Sequence, residues 1–227
     1  MLAPRNFYRS TETDGDESVK PRFLEALFVL LSLCLVANTA FAAPRLAPEE
    51  VVKGTADQVL EVLDTEQEQL RAHPERIYEV VNKYILPTFS FPAMSRLVLG
   101  RHWRSATESQ REQFTNAFRS LLVRTYAESL IDYAGVPIRY LPVHMDETAK
   151  DATVNTEIEP SGRPPVAISY RLRLLSGEWK VIDVVVEGVS LVTNYRTEFS
   201  TEINRSGLDS LIRSLEARAR ASTSKDR

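Results

Sequence analysis

Three histidines, His73, His102 and His144, are the only imidazoles among 227 residues, and no two stand at H-x-H or H-x-x-x-H spacing. A metal centre needs three or four convergent nitrogen, sulfur or oxygen ligands, and this spacing brings none together. Gly188-Val189-Ser190 places a serine two residues after a glycine. It lacks the second glycine of a G-x-S-x-G elbow and has no histidine nearby. That hydroxyl is better suited to capping a helix or bonding a strand end. Asp183 and Glu187 share a face of one strand-like run, but at i and i+4 they stand roughly 13 Å apart. That is too far for paired acid–base work, so each is expected to bond an arginine or a turn amide. No phosphate loop or dinucleotide fingerprint occurs. The expectation is no catalytic residue, no metal and no cofactor.

The N-terminus speaks for export. Phe23 to Val36 is apolar apart from Glu25 and Ser32, follows Arg5, Arg9, Lys20 and Arg22, and precedes Ala40-Phe41-Ala42. A basic stretch, a short apolar stretch and a small-x-small site define a secretory signal peptide, here residues 1–42. The apolar stretch is shorter than the roughly 20 residues of a spanning helix. Cys34 is the only cysteine and follows Leu33, whereas a lipoprotein site needs a small residue there. The mature chain therefore holds no cysteine and must fold without a disulfide. Removing the four basic and five acidic residues of 1–42 from totals of 28 and 31 leaves 24 and 26. Such balance argues against a nucleic-acid binder and against a polybasic membrane-surface protein.

The mature chain divides by hydrophobic period. Val52, Ala56, Val59, Leu63 and Leu70 repeat at helical spacing after Pro48-Glu49-Glu50, predicting a helix that ends near His73. Ile77, Val80, Val81, Tyr84 and Ile85 predict a second, stopped by Pro87. Phe89 to Gly100 reads as a short helix with Pro92 in its first turn and Gly100 as its C-cap. Thr107 and Gln110 form a capping box that opens the longest helix, running to about Ala134. The period then changes to two. Residues 138–143, 152–158, 166–174 and 179–189 read as strands, with Ser161-Gly162 and Ser176-Gly177 as hairpin turns. Two helices follow, one carrying Tyr195, Phe199 and Ile203, the other Leu208, Leu211, Ile212 and Leu215. This order predicts an α+β domain, a helical bundle packed on a curved four-stranded antiparallel sheet. Its bounds are 43–218, with a flexible tail at 219–227.

Four segments carry a family resemblance. They are Leu86-Pro87-Thr88-Phe89-Ser90-Phe91 through Leu99-Gly100-Arg101-His102-Trp103; Gln110-Arg111-Glu112-Gln113-Phe114 through Thr125-Tyr126-Ala127; Gly162-Arg163-Pro164-Pro165-Val166; and Trp179 through Gly207-Leu208-Asp209-Ser210-Leu211. In this order they resemble the MlaC family of periplasmic phospholipid carriers, also described as toluene-tolerance components. Many members carry an aspartate where Ser90 stands and a tyrosine where Ile182 stands, which touches only a helix cap and one bond beside a strand. The resemblance implies an NTF2-like cone enclosing an apolar cavity, and a soluble shuttle in the periplasm. Its ligand would be a glycerophospholipid. Its partners would be an outer-membrane lipoprotein complex and an inner-membrane ABC transporter, with the carrier itself a monomer.

Each methylene removed from a membrane is worth about 0.8 kcal/mol, so two chains of roughly 15 methylenes require about 24 kcal/mol of replacement burial. Only near-complete enclosure supplies that. Apolar positions on predicted inward faces beside the four segments are the expected wall: Phe89, Leu97, Val98, Phe118, Leu122, Tyr126, Ile168, Tyr170, Val184, Val186, Tyr195 and Phe199. Arg101, Arg104 and Arg196 are the expected headgroup contacts. Two rival readings stand beside the carrier. One is a non-lipid periplasmic adaptor with a filled core; the other is a small-molecule, isomerase-like enzyme on the same cone.

Overall fold

The computed structural model describes residues 46–146 and 148–225; the expected signal peptide at 1–42 lies outside them. Helix α1, Pro48–Thr65, starts with a proline and two acids, and the Glu50 carboxylate accepts from the Ala47 N–H at 2.7 Å. Its stripe buries Val52, Val59 and Leu63. The helix does not run to His73 unbroken. Glu66 leaves helical geometry (φ −111°, ψ 18°), and a short α2, Gln67–Ala72, follows.

The predicted second helix is likewise subdivided. A 3-10 turn at Pro74–Arg76 leads to α3, Ile77–Val80, then a π turn at Val81–Ile85 and a 3-10 turn at Leu86–Thr88. Pro87 has no N–H and its ring crowds the carbonyl four residues earlier, so a regular helix cannot pass through this point.

Helix α4, Phe91–Leu99, is capped by Ser90, whose hydroxyl accepts from the Ala93 N–H at 3.4 Å, and ends at Gly100 with φ 53°. The positive φ is why glycine stands there. After the short α5, His102–Ser105, the Thr107–Gln110 capping box opens α6, Glu108–Tyr126. This helix is shorter than expected. From Glu128 to Tyr133 the backbone tightens into 3-10 geometry, a common way for a helix to end.

The sheet is antiparallel throughout, in the order β1-β2-β3-β4-β5. Its strands are Ile138–Tyr140, Asp151–Ile158, Val166–Leu175, Glu178–Val186 and Val189–Ser190. The expected four strands thus become five, because the run 179–189 folds back at Glu187-Gly188. Both residues have positive φ (49° and 80°), as do Ser176 and Gly177 (50° and 90°). Two positive φ values are what a two-residue hairpin turn requires.

Helix α7, Leu191–Ser206, leaves directly from β5, and α8, Leu208–Lys225, follows Gly207. Helical backbone thus continues through most of the expected tail at 219–227. The alternating alanines and arginines of Ala217-Arg218-Ala219-Arg220-Ala221 are strong helix formers. The whole is the expected α+β arrangement of helices on one antiparallel sheet.

Among the described residues the buried apolar side chains gather in three clusters. The first joins α4, α6, α7 and α8 around Phe114, Phe118, Phe199 and Leu211. The second joins α1, α2 and the 77–86 region around Leu63, Leu70 and Ile77. The third joins Val52 of α1 to Ala152, Val154, Leu172, Trp179 and Val181 of the sheet. They meet through half-buried residues: Leu86 packs on the first two, Phe89 on the first and third. A domain of this size normally gathers one contiguous core with smaller satellite clusters beside it.

Candidate functional site

Strand β4 organises the molecule. On one edge it pairs with β3; on the other it meets β5 and, as an isolated bridge, Phe89 opposite Val181. The Ser90 N–H donates to the Val181 carbonyl at 2.9 Å. Two helices therefore start from the same sheet edge, α4 behind its Ser90 cap and α7 behind Ser190, which accepts from the Thr193 N–H at 3.0 Å. Within β4 the register slips between the Arg171–Asp183 and Leu172–Val181 pairs, leaving Ile182 as the extra residue. Such a bulge re-aims the residues around it.

Asp183, next to the bulge, is buried at 3% exposure. Its Oδ2 accepts from Ser190 Oγ at 2.6 Å and from Arg171 Nη1 at 3.3 Å, while Oδ1 accepts from the Val192 N–H at 3.1 Å. A carboxylate at a helix N-terminus is electrostatically favoured. Glu187 is bound just as locally: its Oε1 accepts from the Ala167 N–H at 2.5 Å. Asp183 thus bonds an arginine as expected, with a helix-start amide beside it, whereas Glu187 bonds a strand amide rather than a turn amide, and Ser190 caps the helix.

Cross-strand register sorts the sheet into two faces, since paired residues point the same way. One face is polar: Arg139 pairs with Glu157, Ser169 donates to Asn155 at 2.7 Å, and Arg173 donates to Asp151 at 2.6 Å. Here a groove of about 780 Å³ runs past Asn155, Arg171, Arg173 and Asp183 to Leu97 and Arg196. Arg171 and Arg173 face carboxylates here and the walls are mostly polar, which does not suit a hydrocarbon chain.

The other face is apolar. Register places Ile138, Tyr140, Ala152, Val154, Thr156, Ile158, Val166, Ile168, Tyr170, Val184 and Val186 on it. Ala152, Val154, Thr156 and Ile158 are buried, yet Ile138, Tyr140, Val166, Ile168, Tyr170, Val184 and Val186 are only half-buried. Ile138, Val166, Ile168 and Val186 join none of the three clusters. At that end of the sheet a second hollow, of about 320 Å³, lies between Tyr133, Arg163, Pro164, Pro165, Val166 and Glu187.

The structure separates the expected wall residues into two groups. Val98, Phe118, Leu122, Tyr195 and Phe199 are buried together in the helical cluster. The Phe118 ring meets Tyr195 edge-on at 5.4 Å and Phe199 at 6.1 Å. Phe89, Ile168, Tyr170, Val184 and Val186 stand at or on the apolar sheet face. Tyr126, at the end of α6, is 39% exposed, and Leu97 borders the polar-face groove. Burial pushes the Tyr195 phenol well above its ordinary range, and a hydrogen bond with Tyr126 adds to the rise.

The three arginines do not form one cluster. Arg101 Nη2 donates to Asn204 at 3.1 Å, Arg196 Nε donates to the Leu97 carbonyl at 2.7 Å beside Gly100, and Arg104 is exposed on α5. Tyr133, Tyr140 and Arg163 were not among the residues expected from sequence. Tyr140 is legible as an apolar-face residue of β1 once the pairing with β2 is known; Arg163 lies in a family segment but in a loop, where period gives no direction. Among the described residues no three of His, Cys, Asp and Glu converge as a metal would require, and no helix is long and apolar enough to cross a membrane.

Comparison with known proteins bears on this arrangement. Toluene tolerance protein ttg2D of Pseudomonas putida is 27% identical over 180 residues, covering 79% of this chain and 83% of the relative. The intermembrane phospholipid transport system binding protein MlaC of Haemophilus influenzae is 27% identical over 202 residues, covering 87% and 93%. Among solved structures, the phospholipid-binding protein from Ralstonia solanacearum, in complex with a phospholipid, superposes with a TM-score of 0.72. It shares 28% identity, covering 78% of this chain and 98% of that one. Residues 53–217 match the family model described as MlaC protein, and on that match the chain belongs to the MlaC family.

Proposed function

We propose that this chain is a periplasmic phospholipid carrier that takes up acyl tails between its helices and the apolar sheet face. It would pass lipid between an outer-membrane lipoprotein complex and an inner-membrane ABC transporter, acting as a monomer and without catalysis. The observation that carries this reading is the divided interior: three clusters joined by half-buried residues, with an apolar sheet face left partly uncovered. An adaptor with a filled core has no reason to leave such a face unsealed. The phospholipid held by the similarly folded Ralstonia protein supports the same ligand class.

The sheet residues Ile168, Tyr170, Val184 and Val186, with Phe89 and Tyr126, would form the wall that tails touch. Leu97, Val98, Phe118, Leu122, Tyr195 and Phe199 would back it, since tails entering between the clusters must displace or border the helical one. The headgroup would remain in water, met by arginines; Arg101, Arg104 and Arg196 are the assignment carried from the sequence, and Arg163 at the second hollow joins them.

Uptake from vesicles tests the proposal. Protein incubated with phosphatidylethanolamine or phosphatidylglycerol vesicles, then freed of them by sedimentation, should retain lipid phosphorus near one phospholipid per chain. Binding through tails predicts similar uptake of the two. Phosphorus-free protein in both experiments would contradict the carrier reading.

A further inference from the structure

Among the described residues, two buried side-chain polar atoms have no hydrogen-bond partner, Ser95 Oγ and the Tyr140 hydroxyl. Ser95 sits within α4, amid the helical cluster. Tyr140 is different, because it belongs to the apolar sheet face. It pairs with Thr156 across β1 and β2, and its ring packs on the cluster shared by the sheet and α1. Thr156, its partner across the strands, is polar but committed. The Thr156 hydroxyl donates to the Ile168 carbonyl at 3.3 Å. Burial pushes the Tyr140 phenol up to about 12, with the charge of Asp57 on α1 and the nearby Tyr170 adding to the rise. A neutral O–H donor is thus held against the apolar face with no acceptor. A buried donor without an acceptor is a cost to the fold, so its retention points to an acceptor that arrives with a ligand.

We propose that the Tyr140 hydroxyl donates a hydrogen bond to an ester carbonyl of the bound lipid, making it a residue that selects ester-linked tails. This rests on the carrier reading and deepens it. The ligand that suits an apolar face with one inward donor is a hydrocarbon chain headed by one neutral acceptor. Asp57 disfavours a carboxylate at this place, which sets the ester of a diacyl phospholipid apart from a free fatty acid.

The test compares a diacyl phosphatidylethanolamine with its dialkyl ether analogue of equal chain length, on the unaltered protein, Tyr140→Phe and Tyr78→Phe. One hydrogen bond predicts about fivefold tighter binding of the diester by the unaltered protein. Tyr140→Phe should bring the ratio to about one through loss of diester affinity alone, while Tyr78→Phe, whose hydroxyl donates to Glu128 away from the sheet face, keeps the ratio. An unchanged ratio in Tyr140→Phe overturns the inference, as does an equal loss for both lipids or the same collapse in Tyr78→Phe. Loss of folding in Tyr140→Phe by far-UV circular dichroism also overturns it, because removing an unpartnered hydroxyl leaves packing intact. Failure of the unaltered protein to bind either lipid overturns the carrier reading itself, a separable result.

Discussion

Phe118 and Ile168 come from the same kind of pattern, an apolar residue on a face predicted to point inward, yet they end in unlike places. Phe118 is 0% exposed, with rings of Phe114, Tyr195 and Phe199 around it. Ile168 is half-buried on the sheet and belongs to no cluster. The helical cluster resembles an ordinary close-packed interior; the sheet face resembles a wall whose opposite side is incomplete. Residue type does not distinguish core from wall. What distinguishes them is whether a second element comes down on top, and that depends on how α4 and α7 are hung from the β4 edge.

The largest expected contrast comes from truncation. Phe118→Ala should cost about 3–5 kcal/mol in urea denaturation, whereas Ile168→Ala, half-exposed already, should cost less than about 1 kcal/mol. Equal losses would erase the division between the two regions. Next is the joint between them. Asp183→Ala leaves the Val192 N–H without its carboxylate partner and strips Ser190 and Arg171 of theirs, for an expected loss of about 2–3 kcal/mol by the same method. A loss below half that would mean α7 is held by its apolar contacts alone.

Enlargement probes the two regions from the other side. Leu122→Trp, in the helical cluster, should destabilise by about 1–3 kcal/mol or prevent folding. Val184→Trp, on the sheet face, should keep a melting temperature close to that of the parent while lowering the lipid that the protein retains. Smallest is the cap of α6: Thr107→Ala should cost about 1 kcal/mol and leave lipid uptake untouched, since this helix start is no part of the proposed wall. A change in uptake from that substitution would show that helical cluster and sheet wall are not independent.

Most elements were legible because their signals are local. Proline, capping pairs and glycines mark helix ends whatever the tertiary setting, so Ser90, Thr107 and Gly100 fall where the sequence puts them. Alternation in 152–158 and 166–174 gave those strands within a residue of each end. The fold-back at Glu187 was hidden because a valine-rich run has no alternation to lose, and Glu187 is an uncommon residue at positive φ. The bulge at Ile182 was hidden for the same reason, since a slip shows only against the partner strand. Of the proposed wall, Ile168 and Tyr170 could be read from the alternation of 166–174, whereas the side of Val184 and Val186 follows from their pairing with β3. The helical residues could not be sorted, because an apolar stripe facing another helix and one facing a ligand have the same period.

All of the proposed function rests on a phospholipid's tails entering between the helices and the apolar sheet face. Native mass spectrometry of protein purified without detergent asks this of the molecule itself. A peak heavier than the bare chain by one phospholipid is expected, diminished in Val184→Trp and unchanged in Thr107→Ala. A bare-chain mass alone, persisting after exposure of the unaltered protein to phospholipid, would contradict it.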